Sequence, residues 1–280
     1  MSDNKSWLFV SDIDGTLIET NRKMPQNNID AIKEFVDNGG NFSVCTGRNL
    51  QSLRPHYEKC GANAPAVFLN GTGIYDFSAQ KLLYYEPFST EQENILINLI
   101  NKYSRFISFV IYEPEMIHII GKINPLGIAT FLADGLDHRF YSSVNKVPRG
   151  KWGKVSLLCD SFHFKKFRAE FNDNNFNKMF SFFPDEAKSL VCVCEIAPGG
   201  INKGTGVKEL ISVFEYDIYK TAAIGDGWND VELLKSVSHP ACCGQSESKL
   251  SDYCEYVSCR CKDGSVAQFL GYIKNKYINI

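Results

Sequence analysis

The hydrophobic pattern changes period along the chain, and each period predicts an element. The first apolar run, Trp7 to Val10, is short and continuous, as in a strand buried on both faces. Further on the spacing becomes three and four: Ile29, Ile32, Phe35 and Val36 share one face of a helix that Gly39 and Gly40 end. "NFSVCTG" (41–47) then reads as a strand and "NLQSLRPHYEKCG" (49–61) as a helix. "PAVFLNGTGIYD" (65–76) reads as a third strand running into a glycine-bearing turn. Strand–helix–strand–helix–strand predicts a parallel sheet with right-handed crossovers.

After about Pro87 the rhythm changes. A helix from roughly Thr90 to Tyr103 precedes two strand-like runs, "RFISFVIY" (105–112) and "MIHII" (116–120). A second helix is expected from Pro125 to Leu136, then a strand in "GKVSLLC" (153–159) and a helix in "FHFKKFRAEFND" (162–173). "KMFSFFP" (178–184) and "SLVCVCEI" (189–196) read as strands. The parallel rhythm returns near Pro198, with a helix in "TGVKELISVFEYD" (205–217), a strand in "KTAAIG" (220–225) and a helix from Asn229. "HPACC", "EYVSC" and a last helix from Ser265 complete it. The fold class expected is α/β, a doubly wound parallel sheet formed by 1–86 and 197–280, with an α+β domain inserted at 87–196.

Composition narrows the function. With 280 residues, 44% hydrophobic and a formal charge of −2, the chain is neither disordered nor a dedicated nucleic-acid binder. No apolar stretch approaches a membrane span, and the opening run is too short for a signal peptide, so no membrane partner and a cytoplasmic location are expected. Cys192 and Cys194 alternate, as do Cys259 and Cys261, whereas paired zinc ligands are usually two to four residues apart. The ten cysteines therefore read as free, mostly buried thiols.

Four short segments each lie where a strand ends or a helix begins: "SDIDGT" (11–16), "CTGR" (45–48), "INKGTG" (201–206) and "GDGWND" (225–230). In an open parallel sheet ligands bind outside the carboxyl ends of the strands, so segments far apart in sequence can meet there. They would bring together Asp12, Asp14, Asp226 and Asp230, a set of hard oxygen donors suited to Mg2+. Thr46 offers a hydroxyl, Lys203 an ammonium, and Gly15, Gly47 and Gly204 allow close approach of backbone amides, which together suit a phosphate. Asp12 and Asp14 do not open a calcium loop: counted from Asp12, the required glycine falls on Leu17 and the closing glutamate on Lys23. A metal, a phosphate cradle and a spare carboxylate are the parts of aspartyl-phosphate chemistry.

In these motifs the sequence resembles the haloacid dehalogenase (HAD) superfamily of phosphatases, and within it the Cof-type group. "DIDGTL", "CTGR", Lys203 and "GDGWND" match the four motifs in order; "FLNGTGIYD", "EIAPGGINKG" and "KDGSVAQFL" match secondary signatures. The resemblance implies Asp12 as nucleophile and Asp14 as general acid and base. It implies a magnesium site from Asp12, the Asp14 carbonyl, Asp226 and Asp230. Thr46, Gly47, Lys203 and Asn229 would hold phosphate, and the insertion would be a cap that closes over a small phosphorylated substrate, plausibly a sugar phosphate. One departure is "ACCGQSESKLSDY", where Gln245 stands near the place of the family's asparagine.

Weaker candidates keep two readings. Asn70 either touches substrate or only makes a turn with Gly71; Arg48 either meets a substrate anion or forms a structural ion pair. Trp228 either packs against the cap or wedges its own turn. His118 and His163 read as core or surface histidines, and "MFSFFP" as cap core. The rival functions are a sugar phosphomutase, for which "KVPRGKWGK" would supply basic residues, and a non-catalytic phosphate or metal sensor, which would not need both Asp12 and Asp14.

Overall fold

The computed structural model describes residues 7–19, 22–122, 136–185 and 192–278. The strands in chain order are β1 (Leu8–Ser11), β2 (Asn41–Val44), β3 (Ala66–Phe68), β4 (Gly73–Asp76), β5 (Lys81–Tyr85), β6 (Ser108–Tyr112) and β7 (Ile117–Gly121). They continue with β8 (His138–Tyr141), β9 (Lys154–Cys159), β10 (Phe180–Asp185), β11 (Cys192–Pro198), β12 (Thr221–Gly225), β13 (His239–Cys242) and β14 (Tyr256–Val257). The helices are α1 (Gln26–Asp37), α2 (Leu50–Cys60), α3 (Thr90–Tyr103), α4 (Ser161–Asp173), α5 (Lys203–Val213), α6 (Val231–Leu234) and α7 (Ser265–Ile273). The expected helix at 125–136 lies outside the described residues except for Leu136. Two compact units are present: Met1–Gly47, Leu53–Tyr84 and Asn202–Ile280 form one, Arg48–Ser52 and Tyr85–Ile201 the other.

The first unit holds the expected parallel sheet, in the order β14-β13-β12-β1-β2. From β1 the chain adds β2 on one side and later β12 on the other. The winding therefore reverses between β1 and β12, and in open sheets of this kind ligands bind outside the carboxyl ends at such a reversal. Both faces of β1 are buried. Leu8 and Val10 pack in a cluster with Val207, Leu210 and Leu233, while Phe9 faces the other way, stacked on Phe42 at 5.5 Å and near Phe269 at 5.2 Å. Fully burying one such side chain is worth roughly 1.5–3 kcal/mol, so β1 is anchored from both sides.

The third predicted strand departs from expectation. β3 touches the sheet through one bridge, Cys45 opposite Val67, and pairs antiparallel with β4, which neighbours β5. The cause is the turn at Leu69–Gly71, where Leu69 (φ 49), Asn70 (φ 56) and Gly71 (φ 99) are left-handed and reverse the chain. Helix α5 begins at Lys203, earlier than the period suggested, because Asn202 caps it: its side chain accepts from Thr205 N, and Thr205 Oγ1 accepts from Asn202 N. It ends at Val213, and Glu215 at φ 51 stops it.

In the second unit one sheet runs β10-β11-β9-β6-β7-β8, antiparallel except for β7–β8. Leu96 and Ile100 of α3 and Phe164, Phe167 and Phe171 of α4 share a core with Phe109, Val155 and Leu157 of the strands. α3 starts at a complete capping box of Ser89 and Gln92; α4 is capped by Asp160, which accepts from the Phe162 and His163 amides. Phe180 is buried in this core and Phe182 stacks on Phe171 at 4.8 Å, so "MFSFFP" is structural here. Cys159, Cys192 and Cys194 are buried in the same core, and none of the ten cysteines is in a disulfide.

Candidate active site

β1 stops at Ser11, and the next amide, Asp12 N, donates to Ile224 O of β12 at 3.0 Å. Asp12 is thereby fixed at the point where the winding reverses, 5% exposed. Lys203, the first residue of α5, is 2% exposed and places Nζ 2.6 Å from Asp12 Oδ1 and 2.6 Å from Asp230 Oδ1. Asp230 is fully buried, and its Oδ2 accepts from the amides of Asp226 (2.9 Å) and Gly227 (3.0 Å). Its four-residue return to Asp226 N is the function of the "GDGWND" spacing.

Charge is unevenly matched here. Burial, then the nearby Asp230, push the Asp12 carboxyl well above the usual carboxylate range, against the pull of Lys203. Burial and Asp230 raise Asp226 to about 6. Burial would lower Lys203, but Asp12 and Asp230 hold it well above an ordinary lysine, so it stays an ammonium. Side-chain oxygens of Asp12, Asp226 and Asp230 lie within 4.8 Å of one another, a spacing one cation can bridge.

Gly15 explains how the first motif approaches the fourth. It sits at φ +86, and a Cβ there would overlap the Asp226 carboxylate. Next to it, buried Thr16 donates through Oγ1 to Asp226 Oδ1 at 3.0 Å. Asp14 is exposed on the other side of this glycine. The second motif meets the third through Cys45, whose Sγ is 3.7 Å from the Lys203 carbonyl. Thr46 is buried with its amide on Val67 O (3.0 Å), and its carbonyl accepts from Asn70 N (2.9 Å). Gly47 and Arg48 are half-buried, and Arg48 Nη1 reaches Ser52 O at 3.4 Å; Asn229 is exposed.

Sequence reasoning missed two residues. Thr16 carries no signal of its own beyond its place in "DIDGT", and its bond to Asp226 spans 210 residues. Gln245, noted only as a departure, donates through Nε2 to Gly15 O at 2.6 Å and accepts from Cys261 N at 2.8 Å. Trp228 is half-exposed, and its Nε1 donates to Glu247 at 2.7 Å. In the second unit His118 is buried 3.0 Å from Glu113, and His163 pairs with Asp160 at 2.7 Å. Of the "KVPRGKWGK" cations, Arg149 is paired with Glu93 and Lys154 with Glu195.

A family model for haloacid dehalogenase-like hydrolases matches residues 9–270. The chain belongs to this family, as the four motifs led us to expect. It is 23% identical over 94% of its length, and 97% of the relative's, to the pyridoxal phosphate phosphatase YbhA of Escherichia coli. Among solved structures it resembles a haloacid dehalogenase-like hydrolase from Bacteroides thetaiotaomicron (TM-score 0.83, 18% identity, 96% of this chain and 100% of that one). It also resembles the HAD subclass IIB sugar phosphatase BT4131 (TM-score 0.79, 15% identity, 96% and 99%).

Proposed function

We propose that this hydrolase is a magnesium-dependent phosphatase of small phosphomonoesters such as a sugar phosphate, working through an aspartyl phosphate on Asp12. The observation that carries the reading is Lys203 Nζ held 2.6 Å from both Asp12 and Asp230 at the sheet's switch point. A buried nucleophilic carboxylate beside a fixed ammonium and a second carboxylate suits attack on a phosphoryl centre, where positioning and charge compensation dominate. The phosphatase relatives support the same class.

The donor set fits a magnesium ion. Three carboxylates face one ammonium, a set of hard oxygen donors with a surplus of negative charge, and burial and then Asp230 raise Asp226 to about 6. Asp12, Asp226 and the Asp14 carbonyl would hold the ion; both Asp230 oxygens already accept hydrogen bonds, which favours a water-mediated role for it. Magnesium supplies charge neutralisation at the phosphoryl oxygens when bound.

The residues then divide the work. An Asp12 oxygen attacks phosphorus while the ester P–O bond breaks, and Asp14 gives its proton to the departing alkoxide. Asp14 next takes a proton from water, whose oxygen attacks phosphorus and releases phosphate and the Asp12 carboxylate. Lys203, Thr46, Gly47 and Asn229 hold the phosphoryl oxygens throughout; Arg48 and Asn70 are candidates for the rest of the substrate. The division into a core at 1–86 and 197–280 and a cap at 87–196 belongs to the same proposal, supported by compact units that break at Tyr84–Tyr85 and Ile201–Asn202. A cytoplasmic location is supported by ten cysteines of which none forms a disulfide.

The test is rapid quenching of the protein with a labelled phosphomonoester and magnesium. An acid-stable, hydroxylamine-labile phosphoprotein mapping to Asp12 is expected. Turnover with no such species, or label on another residue, would overturn the proposed route.

A further inference from the structure

Three consecutive carbonyls of the first motif each receive a side-chain donor. Gly15 O accepts from Gln245 Nε2 (2.6 Å), Thr16 O from Ser265 Oγ (2.9 Å) and Leu17 O from Asn28 Nδ2 (3.3 Å). The donors are themselves tied to the C-terminal segment: Gln245 Oε1 accepts from Cys261 N (2.8 Å) and Asn28 Oδ1 from Ala267 N (2.9 Å). Thr16 and Leu17 are buried, so their carbonyls need partners for stability alone. Gly15 is different. It is half-exposed, so water could serve its carbonyl, yet a side chain from 230 residues away does so.

Gly15 is also the residue where the loop is least constrained. It joins exposed Asp14 to buried Thr16 at φ +86, and a glycine has the widest choice of backbone angles. Asp12 and Thr16 are both anchored, by Ile224 O and by Asp226 and Ser265, so a loose Gly15 peptide would be accommodated by the backbone of 13–15, and Asp14 would move with it relative to Asp12. Both polar groups of Gly15 are held: its N–H donates to Ile18 O at 2.9 Å, and its carbonyl is gripped by Gln245. We propose that Gln245 is a positioning residue for Asp14, fixing the Gly15 peptide so that the Asp14 carboxyl stands where the leaving oxygen takes its proton. The inference rests on the role assigned to Asp14 above.

The consequence is a dependence on leaving group. An alkoxide needs its proton during P–O cleavage; a nitrophenolate scarcely does. kcat/KM reports steps up to and including the first irreversible one, here phosphoryl transfer to Asp12, so it isolates the acid role of Asp14. In Gln245→Met, which keeps the length and loses the amide, kcat/KM for an alkyl phosphate should fall about tenfold, since small displacements of a catalytic group are costly. For p-nitrophenyl phosphate the fall should stay within about threefold. Gln245→Glu, which can still accept from Cys261 N but cannot donate to Gly15 O, should behave like Gln245→Met.

Asp14→Asn is the reference. It should show the same selective loss, larger in size. If it loses both substrates equally, the acid role of Asp14 is wrong and the inference falls with it. If Asp14→Asn discriminates but both Gln245 variants, folded by circular dichroism, lose the two substrates equally or neither, Gln245 does not position Asp14. Wild-type-like discrimination in Gln245→Glu alone would also overturn the inference, because it would leave Cys261 as the contact that matters.

Discussion

Lys154 and Lys203 are both buried, one in each unit, and the difference between them separates a structural ion pair from a site. Lys154 lies against one carboxylate, Glu195, which also has Ser156 Oγ at 3.5 Å, and its Nζ is 4.3 Å from the Tyr112 ring. The ammonium and this carboxylate pair directly, with a cation–π contact beside them. Lys203 lies between Asp12 and Asp230, with Asp226 close enough to share a cation with them. One positive charge meets three carboxylates. A fold gains nothing from surplus buried charge, since each unpaired carboxylate costs desolvation energy. The surplus in the first unit is what the proposed cation and phosphoryl group would offset, whereas in the second unit Lys154 and Glu195 compensate each other directly.

The largest expected effect breaks the first unit's set. Asp12→Asn is nearly isosteric but a far poorer nucleophile; turnover should fall more than about a thousandfold with the fold intact by circular dichroism. Lys203→Met should lose turnover to a similar degree, and stability too, because two buried carboxylates lose their ammonium. Released phosphate and urea unfolding measure both. Asp12→Asn turning over within about tenfold of wild type, in a preparation free of deamidation, would remove Asp12 as nucleophile and make the two lysines alike.

A smaller effect is expected in the second unit. Lys154→Met should cost about 3 kcal/mol, the low end for a broken buried pair because Glu195 keeps some exposure. Adding Glu195→Leu should restore most of it, since apolar replacement of both partners is often neutral. Unfolding midpoints of the single and double variants decide this. A double variant no more stable than the single one would mean that Lys154 is needed for something other than Glu195.

The two regions were unequally legible in the sequence. The cluster of Asp12, Lys203, Asp226 and Asp230 was readable because "DIDGT", "CTGR", "NKG" and "GDGWND" each fall where a strand ends or a helix begins, and in that order. Composition could not say how the carboxylates divide: that Asp230 would spend both oxygens on Lys203 and on the amides of 226 and 227 depends on a turn four residues long. Gln245 was visible only as an odd residue, because its partner lies 230 positions away. β5 was missed because "KLLYY" is only partly buried and alternates weakly, and the parallel pairing of β7 with β8 is a tertiary choice that no local period encodes. The second unit's helix α3 lies about where its period placed it, and its start is set locally by the capping box of Ser89 and Gln92.

The subtlest prediction uses pH to count the surplus charge. Burial, then Asp230, raise Asp226 from its ordinary 3.8 to about 6 in the folded protein. Between those values the folded state holds a proton that the unfolded state has lost. This contribution to stability is therefore full below about pH 4 and disappears as the pH rises through about 6. Asp12, also raised, acts with the same sign. Lys203 is raised above the ordinary lysine value, so it stays charged across this window and adds no slope. Metal-free wild-type protein should thus lose several degrees of Tm between pH 5 and pH 7 relative to Asp226→Asn, whose amide can still accept from Thr16 Oγ1. Magnesium should raise the wild-type Tm more at pH 7 than at pH 5, because it favours the ionised carboxylate, and should raise that of Asp226→Asn less at pH 7. Calorimetric scans of both proteins with and without the ion test this directly. Parallel pH profiles would mean that the three carboxylates are already balanced without a cation, and that the first unit's lysine differs from the second's only in having more partners.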